Sequence, residues 1–161
     1  MQATINDYLL DKARSSLTIY MIHEAEKLRR SLGFGYVESA EAPDTYDKLR
    51  AAWDVSMRTK AALPVYNGGS DKTIYTMNEG NYAFRFVHDA AHVMLQANFS
   101  PAGEARVFQY LGNKVKRAFG AYSMEYKLYA ADTIGQVAYY AVHRDYVVDQ
   151  LAFARAMLQV H

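Results

Sequence analysis

The chain has no cysteine, only three prolines in 161 residues, and almost no charge imbalance. Without a thiol there is no disulfide, no thiolate-bound metal and no cysteine nucleophile. Lack of disulfides makes an intracellular setting the easier expectation. Lysine and arginine number 18 against 17 acidic residues, a net charge of +1. No global field therefore recruits nucleic acid or an anionic membrane. The basic clusters Lys27-Leu28-Arg29-Arg30 and Lys114-Val115-Lys116-Arg117 are short. They read as solvated helix faces rather than a nucleic-acid footprint. No apolar run reaches the roughly 18–20 residues needed to cross a bilayer. No basic start followed by an apolar core marks a signal peptide, and no repeat or low-complexity segment stands out.

What is present is apolar substance: 51% hydrophobic residues, enough for one domain over 1–161 with a sizeable core. The pattern predicts a mostly α, single-domain helical bundle. A first helix is expected from about Asn6, which could cap it, to Leu32, with a break allowed near Ser15-Ser16. Gly33 and Gly35 would end it. Asp44 or Thr45 would cap a second helix that carries Leu49, Trp53 and Met57 and stops before Pro64. Turn chemistry at Asn67-Gly68-Gly69-Ser70, between Val65-Tyr66 and Thr73-Ile74-Tyr75, predicts a small hairpin or ordered loop near residues 63–79. Further helices are expected from about Glu79 to Ala97, from Ser100-Pro101 to near Gly120, from Ser123 to Tyr140 or beyond, and from Asp149 to Gln159.

The most informative stretch is Phe84-Arg85-Phe86-Val87-His88-Asp89-Ala90-Ala91-His92. It sets two imidazoles one helical turn apart, with a carboxylate and a guanidinium beside them, in an otherwise apolar helix. Such a helix is normally buried. Burying His, Asp and Arg together costs free energy unless they satisfy one another, a metal or a ligand. Positions i, i+4, i+7 and i+11 share a face, which aligns Asn81, Arg85, His88 and His92. The same series later in the chain aligns Asp132, Gln136, Tyr139 and His143. If those helices pack together, the two stripes would close a polar pocket that Glu104 could reach.

One consequence is a metal site. His88 and His92 can chelate one ion, with Glu104 and Asp132 supplying oxygen. Two histidines and a carboxylate leave coordination positions open, which suits zinc, manganese or iron. Asp89 would orient a histidine or take a proton, while Arg85, Gln136 and Asn81 would hold the substrate. The fit to the helical zinc-protease motif is imperfect, because Asp89 stands where that motif has glutamate. The other consequence is a self-satisfied structural network with no ion. His23, His143 and His161 read as surface or packing residues, and Trp53 as core. Most of the fourteen tyrosines would pack their rings at the core rim with the hydroxyl at water.

The residues Asn81 to Arg85, His88-Asp89, His92, Phe99, Gly103-Glu104, Asp132 to Gln136 and Asp149-Gln150 resemble small uncharacterised proteins of tailed bacteriophages, also found within large multidomain phage proteins. The run Ser70 to Tyr75 resembles the segment those proteins carry ahead of the histidine helix. The resemblance covers roughly the second half of the chain and implies a phage origin and a host-cell cytoplasmic setting. Asp132 stands where a glutamate is commoner. A weaker similarity joins His88-Asp89-Ala90-Ala91-His92 to the His-Asp metal phosphohydrolases, where His23 and Asp132 or Asp145 would complete the metal shell.

These readings lead to a metal-dependent hydrolase with a small-molecule or phosphorylated substrate, phosphoesters and nucleotides being preferred over peptides. Water on the ion would be the nucleophile. The competing expectation is a non-catalytic accessory protein that binds a host or phage protein partner, its polar cluster purely structural. An iron oxygenase on the same histidines is a third.

Overall fold

The first helix exists because Leu10, Ala13, Leu17, Met21 and Ala25 recur every three or four residues, and all five are buried. In the computed structural model, which describes the backbone of residues 2–159 and the side chains of residues 7–158, this helix α1 spans Gln2–Leu32. It does not break at Ser15-Ser16. Ala13 and Leu17 on either side are locked in the core, and the Thr18 hydroxyl bonds back to the Arg14 carbonyl at 2.7 Å. The helix begins before Asn6, whose side chain lies outside the described residues, as does all of His161. Gly33 ends it with φ +81°, a left-handed conformation that L side chains rarely adopt.

Of the small hairpin or ordered loop expected near residues 63–79, the structure has the loop, and the strand beside it pairs elsewhere. Strand β1 (Tyr36–Ser39) and strand β2 (Leu63–Tyr66) run parallel, with Tyr36 opposite Leu63 and Ser39 opposite Tyr66. Parallel neighbours need a long crossover, and helix α2 (Tyr46–Thr59) supplies it. Thr45 is its cap, accepting from the Lys48 N–H at 3.2 Å, while Asp44 pairs with the Lys48 ammonium instead. Leu49 and Trp53 bury the inner face of α2. The segment 67–77 stays irregular, because Arg14 from α1 donates to the Ile74 and Tyr75 carbonyls that a strand would have used.

Helices α3 (Asn78–Met94) and α4 (Pro101–Phe119) follow, the latter opened by Ser100, whose hydroxyl accepts from Gly103 N–H at 3.1 Å. The single helix expected from Ser123 is interrupted. Helix α5 (Met124–Ala130) passes into one wide π-type turn at Ala131–Gly135 and then into α6 (Gln136–His143). There the Thr133 hydroxyl bonds to the Tyr129 carbonyl at 2.6 Å, and Gly135 sits so close to the Met157 sulfur that a Cβ would come within 2.9 Å. Helix α7 (Gln150–Gln159) closes the chain, with Asp149 accepting from the Ala152 N–H.

The fold is a mostly α single domain in which α3 packs along α1 and against α4. Phe86 of α3 is fully buried between Phe34 and Tyr36, at ring-centroid distances of 6.4 and 5.4 Å. Glu24 of α1, itself buried, is bracketed by Lys27 and by Lys114 of α4, each at 2.7 Å. No helix among the described residues is long and apolar enough to cross a membrane. Replacing Phe86 by alanine removes the ring that fastens α3 to the strand layer. Chemical denaturation should show a loss of about 3–5 kcal/mol, the usual cost of a large cavity.

Candidate metal centre

Three side chains converge where α3 meets the start of α4. His88 Nε2 lies 3.2 Å from Glu104 Oε2, His92 Nε2 lies 3.3 Å from the same oxygen, and the two Nε2 atoms are 3.1 Å apart. His92 is fully buried, whereas His88 and Glu104 each keep 21% of their side chain exposed. Solvent therefore reaches part of two of the three side chains.

The chain places these groups by short-range devices. The 88/92 spacing stacks the imidazoles on one face of α3, their ring centroids 4.7 Å apart. After Met94 the backbone turns sharply through Gln96, φ +52°. The turn is closed by the Ala97 N–H donating to the His92 carbonyl at 2.9 Å. The Ala97 carbonyl then meets His92 Nδ1 at 2.7 Å. A carbonyl can only accept, so Nδ1 carries the hydrogen and Nε2 of neutral His92 presents a bare lone pair. This is the outer support that metal-binding histidines normally have. Phe99, on the same turn, covers the His92 ring at 4.8 Å and touches Tyr46 of α2.

Gly103 brings the fourth helix in. A Cβ there would sit 1.9 Å from the Asn98 carbonyl oxygen, so only glycine lets the first turn of α4 press onto the preceding turn. Glu104, the next residue, thereby reaches both imidazoles. Its place in the first turn of a helix also favours a negative charge.

Electrostatics follow from this packing. Burial pushes the Glu104 carboxyl up, but hydrogen bonds with His88 and His92 outweigh it and hold it at about 2. Burial works to lower His92, yet Glu104 and the Ala97 carbonyl win and its pKa rises. The triangle joins a carboxylate to two nitrogens that point inward. Such a set repels itself unless a proton or a cation lies within it. A tetrahedral ion with bonds of about 2.0–2.1 Å sets its ligands about 3.3–3.4 Å apart, and an octahedral one with bonds of about 2.1–2.2 Å about 3.0–3.1 Å. The observed edges fall across both ranges. His88, His92 and Glu104 could hold one metal ion, and the geometry does not choose which.

The other expected site residues are placed differently. Asp132 is not part of the group. It is buried in the wide turn at 131–135, with Oδ1 accepting from Gln136 Nε2 at 2.9 Å. Burial pushes its carboxyl up to about 7, with Arg85 and Gln136 pulling the other way. Arg85 turns from the histidines toward β2, donating to the Tyr66 carbonyl and, at 2.8 Å, to the Gly68 carbonyl, its guanidinium over the Tyr66 ring. Asn81 is buried and donates to Ser70 Oγ at 3.3 Å. Asp89 makes no hydrogen bond among the described residues. Burial raises its carboxyl to about 6 against the pull of His88, His92 and Arg85. The two expected stripes do not close face to face. Gln136 spends its amide on Asp132, and His143 is exposed and stacked on Tyr139 at 4.1 Å. His23 is exposed on α1, and Asp145 is exposed with its carboxylate on the Tyr146 N–H. Neither joins the shell that the His-Asp phosphohydrolase similarity implies. What sequence reasoning missed was the Ala97 carbonyl; Phe99 and Gly103 stand in the phage-like pattern, but the cover of the one and the clearance of the other carry no sequence signal.

Comparison of the chain with protein-family models, with curated proteins and with solved structures found no match.

Two outcomes follow. Gly103→Ala should displace the first turn of α4, draw Glu104 away from the two imidazoles and lower stability by about 1–3 kcal/mol, the range for overpacking; urea denaturation checks this. Asp132 has a folded pKa raised above its unfolded value, so the folded state binds more protons and stability falls as pH rises from about 4 toward about 7. Asp132→Asn should flatten that slope, by an amount on the order of a few kcal/mol at about 1.4 kcal/mol per pKa unit. Denaturation midpoints measured across that window provide the check.

Proposed function

We propose that the chain is a phage-encoded, metal-dependent hydrolase working in the host-cell cytoplasm, with phosphoester or nucleotide substrates preferred over peptides. One observation carries this reading: two imidazole nitrogens and a carboxylate oxygen within 3.3 Å of one another, two of the three side chains partly exposed. His88, His92 and Glu104 would hold zinc, manganese or iron. The ion would supply Lewis acidity and make a water molecule acidic near neutral pH.

The remaining roles belong to residues around that group. Ala97 fixes the His92 tautomer so that Nε2 faces inward. Asp89, held at about 6 beside both imidazoles, can take and return a proton near neutral pH. Arg85 keeps N–H groups beyond its two carbonyl bonds and would meet an anionic group on the substrate. Asp132, buried and hydrogen-bonded to Gln136, is removed from the ligand set in this proposal, and Asn81 from the substrate contacts. The phage-like pattern of the second half of the sequence supports the setting.

A second reading keeps the triangle as a protonated structural knot and makes the protein a binder of a host or phage protein. The exposed apolar groups Tyr140, Val142, Tyr146 and Val148 favour it, Tyr140 and Tyr146 stacking at 4.9 Å. Elemental analysis of protein purified without an affinity tag separates the two. The hydrolase reading expects one metal per chain, lost in His88→Ala and in His92→Ala, and metal-stimulated cleavage of a generic phosphodiester that falls at least about 100-fold in both. Metal-free wild type, with both variants merely less stable, leaves the binder.

A further inference from the structure

The turn Asn67-Gly68-Gly69-Ser70 carries chemistry that the metal reading leaves unused. It leaves β2 with the Asn67 N–H donating to the Ser39 carbonyl at 3.1 Å, and it closes with the Ser70 hydroxyl donating to the Asn67 carbonyl at 2.9 Å. Gly69 takes φ +64° to complete it. Helix α3 grips this turn at two points one helical turn apart. Asn81 donates to Ser70 Oγ, and Arg85 donates to the carbonyls of Tyr66 and Gly68, on either side of Asn67. Two groups inside the grip are free. The Asn67 side-chain amide and the Gly68 N–H make no hydrogen bond among the described residues, so neither must break one to move. Both residues are half-buried and Gly69 is exposed, so water reaches the turn. No other asparagine of the chain is followed by glycine.

Asparagine before glycine is the pair in which a backbone nitrogen best attacks the neighbouring side chain. Glycine has no Cβ to shield that nitrogen, and its φ freedom lets it swing toward the carboxamide carbon. A side chain at 68 would close the approach, but a Cβ there would run into the Tyr66 ring, on which the Arg85 guanidinium lies. The packing therefore keeps glycine at this place. We propose that Asn67 is a site of spontaneous modification, where its amide is lost as ammonia and the main chain is rerouted through its side chain. The Gly68 nitrogen gives its proton to hydroxide and bonds to Asn67 Cγ. The Cγ–Nδ2 bond breaks, and the nitrogen takes a proton from water and leaves as ammonia. A five-membered succinimide remains. Water then opens the ring. Breaking the new bond to Cγ gives aspartate; breaking the original peptide bond gives iso-aspartate. The sum is asparagine plus water to an acid plus ammonia, with no metal, oxidant or reductant. Iso-aspartate lengthens the main chain by one carbon between the two carbonyls that Arg85 holds, so the guanidinium cannot keep both. Aspartate leaves that length unchanged.

The test incubates the full folded chain at neutral pH beside the same chain unfolded in urea and a synthetic peptide of residues 64–72. Fragmentation mass spectrometry that separates aspartate from iso-aspartate reads residue 67. The expected result is that most of Asn67 in the folded chain has lost its amide by the time the peptide is fully converted. Iso-aspartate should be the larger product, the rate should rise in proportion to hydroxide, and the other asparagines should stay intact. Asn67→Gln, whose ring would need one more atom, should release no ammonia from residue 67. As iso-aspartate accumulates, the melting midpoint should fall by about 3–12 °C, the effect of losing one charged hydrogen bond in a chain of this size. Asn67→Asp should melt no lower than fresh wild type. Asn67 still intact in the folded chain, when the peptide and the unfolded chain have converted, overturns the proposal. Aspartate without iso-aspartate overturns it too. Converted protein that melts with the fresh overturns the link to Arg85.

Discussion

Everything distinctive about this molecule follows from the close approach of three electron-rich atoms. His88 Nε2, His92 Nε2 and Glu104 Oε2 lie within 3.3 Å of one another, partly shielded from water. Lone pairs this close need a positive charge between them, supplied either by protons on the imidazoles or by a metal ion. The two possibilities compete, because a nitrogen that carries a proton cannot ligate. The Ala97 carbonyl biases that competition. It spends the one hydrogen of neutral His92 on the outer nitrogen and leaves the inner one bare.

The rest of the fold serves that approach. Helix α3 is fastened on one side to α1 and on the other to the strand layer through Phe86. Its end is a tight turn at Gln96, and α4 starts only a few residues later, against the Asn98 carbonyl. Rigid elements joined by short connections hold side chains more precisely than long loops do. The acidic first turn of α4 points its favourable dipole end at the same place, so Glu104 keeps its charge although partly buried. A second polar group, Arg85 with Asp132 and Gln136, lies outside the ligand set, and Arg85 ties the 66–68 turn to the core.

The sequence made the histidine pair, Glu104 and the mostly helical architecture readable, because 3.6-residue periodicity and the Ser100-Pro101 start are local signals. Non-local choices were not readable. Val65-Tyr66 pairs with Tyr36–Ser39 across a helix rather than with Thr73–Tyr75 across a turn. The decision lies with Arg14, sixty residues away, which takes the carbonyls that a hairpin would use. The second polar stripe assumed an unbroken 3.6-residue helix. The wide turn at 131–135 shifts the phase of the residues after it: Asp132 and Gln136 still bond each other, while His143 ends exposed on Tyr139. Backbone groups such as the Ala97 carbonyl carry no sequence signature at all.

The most direct test of the central claim is an anomalous-scattering map from crystals grown with one equivalent of zinc per chain. The account predicts one strong peak about 2.0–2.2 Å from His88 Nε2, His92 Nε2 and a Glu104 oxygen, with a further position facing solvent. A map with no peak there, and with the three side chains bridged only by protons or water, would contradict it.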